Sequence, residues 1–160
     1  MNQTISHSLS PQQIADAVGT GMFANDRAAH GAGLHLATIG PGTATLTMRV
    51  VDNMLNGFAI CHGGYITLLA DTAFAYACNS YNALTVASSL GIDFIAAVQG
   101  GDVLTAVASE VNLAGRTGVY DVEVRNQHGA RVAMFRGRSY RMTGKTVVDL
   151  PNVPNASLAA

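Results

Sequence analysis

The segment from Asn53 to Ile92 contains a single charged side chain, Asp71, set among Ala, Leu, Ile, Phe, Tyr and Cys residues. An ionised carboxylate in apolar surroundings costs several kcal/mol unless it is paired or hydrogen-bonded. Two interpretations are open. Asp71 is a structural carboxylate bonded to loop amides or to Thr67, one helical turn earlier, or it is a functional acid, base or nucleophile.

Asp71 is the last member of a spaced pattern, N-G-x(4)-H-G-G-x(6)-D. The other members are Asn56, Gly57, His62, Gly63 and Gly64. Paired glycines at the start of a helix are poor helix formers, but they allow another group to approach the backbone closely. Since a helix N-terminus has unpaired N–H groups and a partial positive charge, it suits a developing oxyanion. A carboxylate, a backbone donor, an amide and an imidazole together indicate acyl transfer.

Other chemistries find less support in the sequence. A catalytic Cys61–His62 pair is set aside because adjacent side chains point apart and no third group orients them. Cys61 and Cys78 form no disulfide framework and are expected to be reduced thiols. The five histidines are scattered, and there is no G-x-G-x-x-G motif or P-loop. We therefore expect no metal and no cofactor.

The predicted elements that position these residues are an N-terminal helix, a buried helix and a sheet. Ser10, Pro11 and Gln13 have the spacing of a helix N-cap with a capping box. Residues 43–50 alternate between apolar and polar side chains, which predicts a half-buried strand paired with an earlier strand at Leu34 to Ile39. Residues 63–80 are apolar nearly all round, which predicts a helix buried on most sides.

Four further strands are predicted at residues 84–97, 102–113, 117–126 and 130–142. One long buried helix followed by long antiparallel strands predicts an α+β domain, in which a curled sheet wraps around the helix. We assign residues 1–142 to this single domain. Residues 143–160 contain two prolines and small polar side chains, so we expect a partly disordered tail.

Composition limits the class of protein. Net charge is −1, which gives no reason to expect a nucleic-acid partner, whereas seven of the nine Lys and Arg residues lie in the last third of the chain. The charged fraction of 12% is low, so we expect other subunits to cover part of the surface. The chain start does not look like a signal peptide, and no apolar run approaches ~18 residues. We expect a cytoplasmic protein with no membrane contact.

The sequence resembles the hotdog-fold acyl-CoA thioesterases, and in particular those of phenylacetate degradation. The resemblance covers residues 10–142 and is carried by "MLNG", "CHGG", "LADTAFAYACNS" and "GRTGVYDVEV". It implies a helix wrapped by a sheet, a homodimer or homotetramer, and an active site shared between two subunits.

Position by position, the resemblance also implies roles. Asp71 is the nucleophile or general base, the Gly63 N–H polarises the thioester carbonyl, and Asn56 orients water or the carbonyl. His62 supports the loop and contacts the thioester region in a secondary role, although a histidine taken alone is more often a structural one. Ser89 matches a hydroxyl aimed at the catalytic carboxylate, and only the resemblance distinguishes it from an ordinary strand serine.

The resemblance places coenzyme A across the C-terminal strands and a turn between them. Gly115, Arg116 and Thr117 form that turn, and Arg138 lies in a later strand, so they are candidates for contacting the phosphates. For either arginine, a solvent-facing structural role is an equally good interpretation.

The reaction implied is hydrolysis of an acyl-CoA thioester, with phenylacetyl-CoA or a ring-hydroxylated phenylacetyl-CoA as the expected substrate. Asp71 either attacks the carbonyl or takes a proton from an attacking water, and the sequence does not separate the two. The alternatives are a non-catalytic acyl-CoA-binding or sensing protein and, with less support, a hydroxyacyl-thioester dehydratase.

Overall fold

A six-stranded antiparallel sheet wraps around one long helix in the computed structural model, which describes residues 8–150. The helices are α1 (Pro11–Asn25), α2 (Arg27–Gly31) and α3 (Gly63–Asn79), with a 3₁₀ turn at Asp52–Met54. The strands are β1 (Leu34–Gly40), β2 (Thr43–Arg49), β3 (Thr85–Phe94), β4 (Val103–Ala114), β5 (Thr117–Arg125) and β6 (Arg131–Arg141). This is the predicted α+β hotdog architecture with an additional N-terminal helix.

The predicted start of α1 is confirmed. The Ser10 Oγ accepts from the Gln13 N–H, and the Gln13 side chain accepts from the Ser10 N–H at 2.8 Å, which completes the capping box. The short helix α2 was not predicted. Its start is capped by Asp26, whose carboxylate accepts from the Ala29 N–H at 3.0 Å.

The strand order is β1-β2-β4-β5-β6-β3. β3 therefore follows α3 in the chain but lies at the far edge of the sheet, paired only with β6 among the described strands. The prediction that this strand extends to residue 97 is wrong, since it ends at Phe94. The Ile95 and Ala96 N–H groups both donate to the Val132 carbonyl, at 2.8 and 3.3 Å, which ends the regular pairing.

The core lies between α3 and the concave face of the sheet. Phe74 on α3 packs against Tyr120 and Phe135, with ring centroids 5.6 and 5.7 Å apart. Gly137 on β6 leaves room for the Phe74 ring, because a Cβ there would lie 2.9 Å from it. The predicted burial of Ala44, Leu46, Met48 and Val50 along one side of the strand at β2 is confirmed.

Residues 143–150 remain attached to the domain. The side chain of Asn82, a buried residue with φ of 58°, accepts from the Val147 and Val148 N–H groups and donates to the Val148 carbonyl. The Leu84 N–H donates to the Lys145 carbonyl at 2.9 Å. The remainder of the predicted tail, residues 151–160, lies outside the described residues, so its disorder stays a prediction.

Candidate active site

The loop that leads into α3 is closed by Asn56. The Asn56 Oδ1 accepts from the Phe58 N–H at 2.9 Å, and the Asn56 N–H donates to the Ile60 carbonyl at 2.8 Å. Ala59 takes a φ of 58° to complete the turn. Since only the Oδ1 is occupied by the loop, the Asn56 Nδ2 is free of hydrogen bonds to the described part of the chain, and it remains available as a donor.

His62 is the N-cap of α3. Its Nδ1 accepts a hydrogen bond from the Gly64 N–H at 2.9 Å, which closes the start of the helix. A Cβ at Gly64 would lie 3.0 Å from this nitrogen, so glycine lets the ring approach closely. His62 thereby occupies the Gly64 N–H and positions the first turn of the helix.

The N–H of Gly63 is left free by this capping arrangement, with no hydrogen-bond partner in residues 8–150. Gly63 also has a close neighbour that the sequence pattern does not reveal. A Cβ at Gly63 would lie 2.7 Å from the Phe94 Cζ and 3.2 Å from both Cε atoms. The glycine therefore permits the ring at the end of β3 to rest on the first turn of α3.

Asp71 lies two turns further along α3 and is half-buried. Its Oδ1 is buried without a hydrogen-bond partner in the described residues, and desolvation raises the pKa of the carboxyl. The structural interpretation through Thr67 is not realised, because the Thr67 hydroxyl donates to the Gly63 carbonyl at 2.8 Å. The fold makes no visible use of this carboxylate.

Asp71 and Gly63 do not converge within one chain. They are eight residues apart on the same helix, which corresponds to about 12 Å of helix rise. A hydrogen bond to a carbonyl oxygen and an attack on its carbon require groups only a few ångströms apart. One α3 helix therefore supplies both groups, but at separate places.

Ser89 is not brought to Asp71 in the single chain. A β-bulge between Ala87 and Ser89 places Ser89 opposite Arg138, and directly paired residues share a face of the sheet. The neighbouring residues of β6, Gly137 and Ser139, are buried toward the core, whereas Arg138 is exposed. Ser89 and Arg138 thus line one cleft of about 610 Å³ on the outer side of the sheet.

The candidate phosphate contacts lie together on this outer side. The Arg116 guanidinium lies 5.0 Å from the Tyr140 ring centroid and donates to the Thr143 hydroxyl at 2.9 Å. Gly115 has a φ of 57° in the two-residue turn, and Thr117 closes the turn by donating to the Ala114 carbonyl. Arg138 is two residues from Tyr140 along β6.

The arginines of β6 differ in their partners. Arg136 forms a two-point ion pair with Asp121, at 2.6 and 2.7 Å, and this pair holds the pKa of the Asp121 carboxyl below its usual range. Arg138 has no carboxylate partner within the described residues. The cleft therefore contains one guanidinium in an ion pair and one without an ion-pair partner in the described residues, and Asp93 also lines it.

A second cavity, of about 390 Å³, opens beside Gly63. Its lining is mainly apolar and comprises Asn56, Ile60, Cys61, Gly63, Ile66, Phe94, Ile95, Ala96, Ala97 and Val98. Burial, together with the negative charge of Asp102, raises the pKa of the Cys61 thiol, which disfavours a thiolate there. Residues 94–98 are the part of this site that sequence reasoning missed.

No group of three potential metal ligands occurs in the part of the chain that is described. In the same part, no helix combines the length and the apolar character needed to cross a bilayer. One chain therefore supplies an imidazole, an amide and a free backbone donor beside an apolar cavity, and a carboxylate elsewhere on the same helix.

The chain belongs to the thioesterase superfamily, whose family model matches residues 58–133, and it has the hotdog fold of that superfamily. It is similar to the acyl-coenzyme A thioesterase PaaI of Escherichia coli, with 47% identity over 123 residues, covering 77% of this chain and 88% of the relative.

Solved structures of thioesterases also match this chain. The structure of the E. coli PaaI protein from the phenylacetic acid degradation operon matches with a TM-score of 0.83 and 44% identity, covering 86% of this chain and 99% of that one. A hypothetical thioesterase from Streptococcus pneumoniae, solved with coenzyme A, matches with a TM-score of 0.73 and 25% identity, covering 78% of this chain and 99% of that one.

Proposed function

We propose that the protein hydrolyses acyl-CoA thioesters, and phenylacetyl-CoA or a ring-hydroxylated phenylacetyl-CoA in particular, at sites built from two copies of the chain. The observation that carries this proposal is Asp71, a half-buried carboxylate whose Oδ1 has no partner in the described residues. A carboxylate held at this cost without a structural role is a candidate for catalysis. The similarity to the E. coli acyl-coenzyme A thioesterase supports the substrate class.

The separation of Asp71 from Gly63 requires the second copy. Because the two groups are about 12 Å apart along one helix, a two-fold axis that sets α3 antiparallel to its mate brings Asp71 of one copy toward Gly63 of the other. Each dimer then contains two equivalent sites.

The surface offers a place for that second copy. β3 is an edge strand with apolar, half-exposed side chains at Val86 and Leu90. An unprotected apolar edge is unusual for a monomer, because it invites pairing with another strand. On α3, the partly exposed positions Gly63, Thr67, Asp71 and Ala75 recur every four residues and form one side of the helix.

In the general-base mechanism, Asp71 takes a proton from a water molecule while the water oxygen attacks the carbonyl carbon. The oxyanion accepts a hydrogen bond from the Gly63 N–H, which points out of the positive end of α3. Collapse breaks the C–S bond, and the departing thiolate of coenzyme A takes the proton from Asp71. Desolvation raises the pKa of Asp71, and so strengthens it as a base.

In the nucleophilic mechanism, an oxygen of Asp71 attacks the carbonyl carbon and the C–S bond breaks, which gives a mixed anhydride and the thiolate of coenzyme A. Water then hydrolyses the anhydride, and the thiolate takes up a proton. Both mechanisms use the same carboxylate and the same oxyanion donor, so the geometry serves either.

The neighbouring groups have supporting roles in this proposal. Asn56 donates its free Nδ2 to the carbonyl or to the attacking water. His62 positions the Gly63 N–H by capping the same turn through Gly64. Ser89 keeps the role that the family resemblance implies only if the second copy or a shift of β3 brings it to Asp71, since within one chain it faces the Arg138 cleft.

The phosphates of coenzyme A are assigned to the outer side of the sheet. Arg138 supplies a guanidinium there that has no ion-pair partner in the described residues, and Arg116 is held over Tyr140 by the turn at Gly115 and Thr117. Guanidinium groups bind phosphate oxygens at two points, which suits this assignment.

Release of free thiol from a panel of acyl-CoA esters tests the function. We expect turnover of phenylacetyl-CoA and its hydroxylated forms, and loss of that turnover in an Asp71→Asn variant purified in the same way. Saturable binding of the esters without thiol release would favour the sensing protein. Formation of an unsaturated thioester from a hydroxyacyl-CoA would favour the dehydratase.

A further inference from the structure

Phe94 connects the two elements that the proposed site requires. It is the last residue of β3, and its ring rests on Gly63 at the first turn of α3. The side chain nevertheless remains 54% exposed, and it lines the cavity beside Gly63. A large apolar ring is therefore fixed beside the proposed oxyanion donor with one side open.

The position of the ring is set by the backbone. The chain leaves the sheet after Phe94, where Ile95 and Ala96 share the Val132 carbonyl, and the Cys61 N–H donates to the Val98 carbonyl at 2.8 Å. These bonds hold residues 94–98 against the loop that enters α3. The Phe94 ring is thus a wall of the cavity rather than a loose surface group.

The chemistry of the cavity suits an acyl group better than the pantetheine arm. Ile60, Ile66 and Val98 line it together with Phe94, and Asn56 is the one polar side chain in the lining. The pantetheine arm carries two amides, which would lose hydrogen bonds to water in such a place. An apolar acyl group would lose none, and its carbonyl would lie beside the Gly63 N–H.

We propose that Phe94 is the residue that selects the acyl group, by packing its ring against the group attached to the reacting carbonyl. This inference rests on the proposed function. An aromatic acyl group gains an offset or edge-to-face ring contact with Phe94 that an aliphatic group of similar length does not gain. This position of the Phe94 ring also requires Gly63, because any side chain there would displace the ring.

The first experiment compares kcat/KM for phenylacetyl-CoA and hexanoyl-CoA in wild type, Phe94→Leu and Phe94→Ala. We expect the ratio of phenylacetyl to hexanoyl turnover to fall about 2- to 12-fold in both variants, which is the value of one aromatic pair. Val107→Ala, a half-exposed apolar residue of β4 outside the cavity, is the control and should keep the wild-type ratio. A ratio unchanged in both Phe94 variants would overturn the inference.

A second experiment tests the contact without any substrate. Gly63→Ala should lower the melting temperature in the wild-type background, because the new Cβ meets the Phe94 ring, and should lower it much less in a Phe94→Ala background. Equal losses in both backgrounds would contradict the ring position. If wild type releases no thiol from any ester, the proposed function fails; if it does and the ratio does not move, only the role of Phe94 fails.

Discussion

At the scale of single residues, a carboxylate oxygen buried without a hydrogen-bond partner lowers the stability of a folded chain, and Asp71 has such an oxygen as far as residues 8–150 are concerned. Two neighbouring polar side chains on α3 are satisfied within the helix. Thr67 and Thr72 both donate to carbonyls one turn earlier on α3, at 2.8 and 2.7 Å. Nothing on the helix offers Asp71 a structural partner, which is the pattern expected when a carboxylate is kept for chemistry.

The raised pKa of Asp71 gives a pH dependence with a defined sign. The base must be ionised, so kcat/KM should fall as the pH drops through a pKa that lies above the usual range for an aspartate. The free energy of unfolding should change in the opposite direction and increase as the pH drops. A carboxyl whose pKa is raised in the folded chain stabilises the fold when it is protonated, and this contribution is lost as the pH rises through the folded pKa.

Rate profiles and thermal unfolding over the same pH range measure both effects. The comparison with Asp71→Asn removes the contribution of every other titrating group to stability. Two results together would contradict the desolvated environment of Asp71. The wild-type kcat/KM would fall only at a pH within or below the ordinary range of an aspartate pKa, and the melting temperatures of the two proteins would depend on pH in the same way.

Residue types and spacing identified most of the proposed catalytic groups, since Asp71, His62 and Gly63 are all close in sequence. Phe94 could not be found in this way, because it meets Gly63 only through the path of β3 across the sheet. The alternation of residues along β3 does not predict on which face of the sheet Ser89 lies, because a β-bulge changes the register there.

At the scale of elements, β3 determines whether a complete site can form. It is the edge of the sheet and carries half-exposed apolar side chains, and it leads from the end of α3 back to the start of α3 through Phe94. A partner strand along this edge would cover Val86 and Leu90 and bring the second α3 alongside the first.

Leu90→Lys should therefore break the dimer and reduce turnover severely, because it buries a charge at the proposed interface. Val107→Lys is a matched control: both side chains are 45% exposed, but Val107 lies on β4, in the interior of the sheet order. Sedimentation at micromolar concentration checks the assembly. A fully active Leu90→Lys monomer, or a wild-type monomer with full activity, would contradict a site shared between two chains.

Element types were predictable where local signals are strong, as in the capping box of α1 and the alternation of β2. The order of the strands was not, because β3 pairs with β6 across an intervening length of chain that contains two other strands. α2 was missed because it is a five-residue helix in a Gly-rich stretch, stabilised mainly by the Asp26 cap. Short helices leave little periodicity to read.

At the scale of the whole molecule, the charge distribution matters more than the net charge of −1. Most of the basic residues follow residue 100, and Arg116, Arg136 and Arg138 lie on the outer side of β5 and β6. Among them, Arg116 and Arg138 have no carboxylate partner within the described residues, so they are better candidates for an anionic ligand than Arg136.

Arg138→Ala should raise KM for acyl-CoA with little change in kcat, because a distant phosphate contact is equally strong in the ground state and the transition state. The effect should weaken at high salt. An acyl thioester of N-acetylcysteamine, which lacks the nucleotide, should show no change. An unaltered KM for acyl-CoA would place the nucleotide elsewhere, and an equal rise in KM for the short thioester would mean that the substitution disturbs the site itself.

The central claim is that Asp71 acts on the thioester carbonyl, and Asp71→Asn tests it most directly. The amide keeps the volume but removes the charge, so kcat should fall about 10²- to 10⁴-fold, or further if Asp71 is the nucleophile. Because the carboxylate is desolvated and its Oδ1 has no partner within the described part of the chain, the melting temperature should stay the same or rise. The measurement is kcat and thermal unfolding on one preparation of each protein. A folded Asp71→Asn variant that hydrolyses acyl-CoA at more than about a tenth of the wild-type rate, or one that loses stability while its folded fraction keeps normal turnover, would contradict the claim.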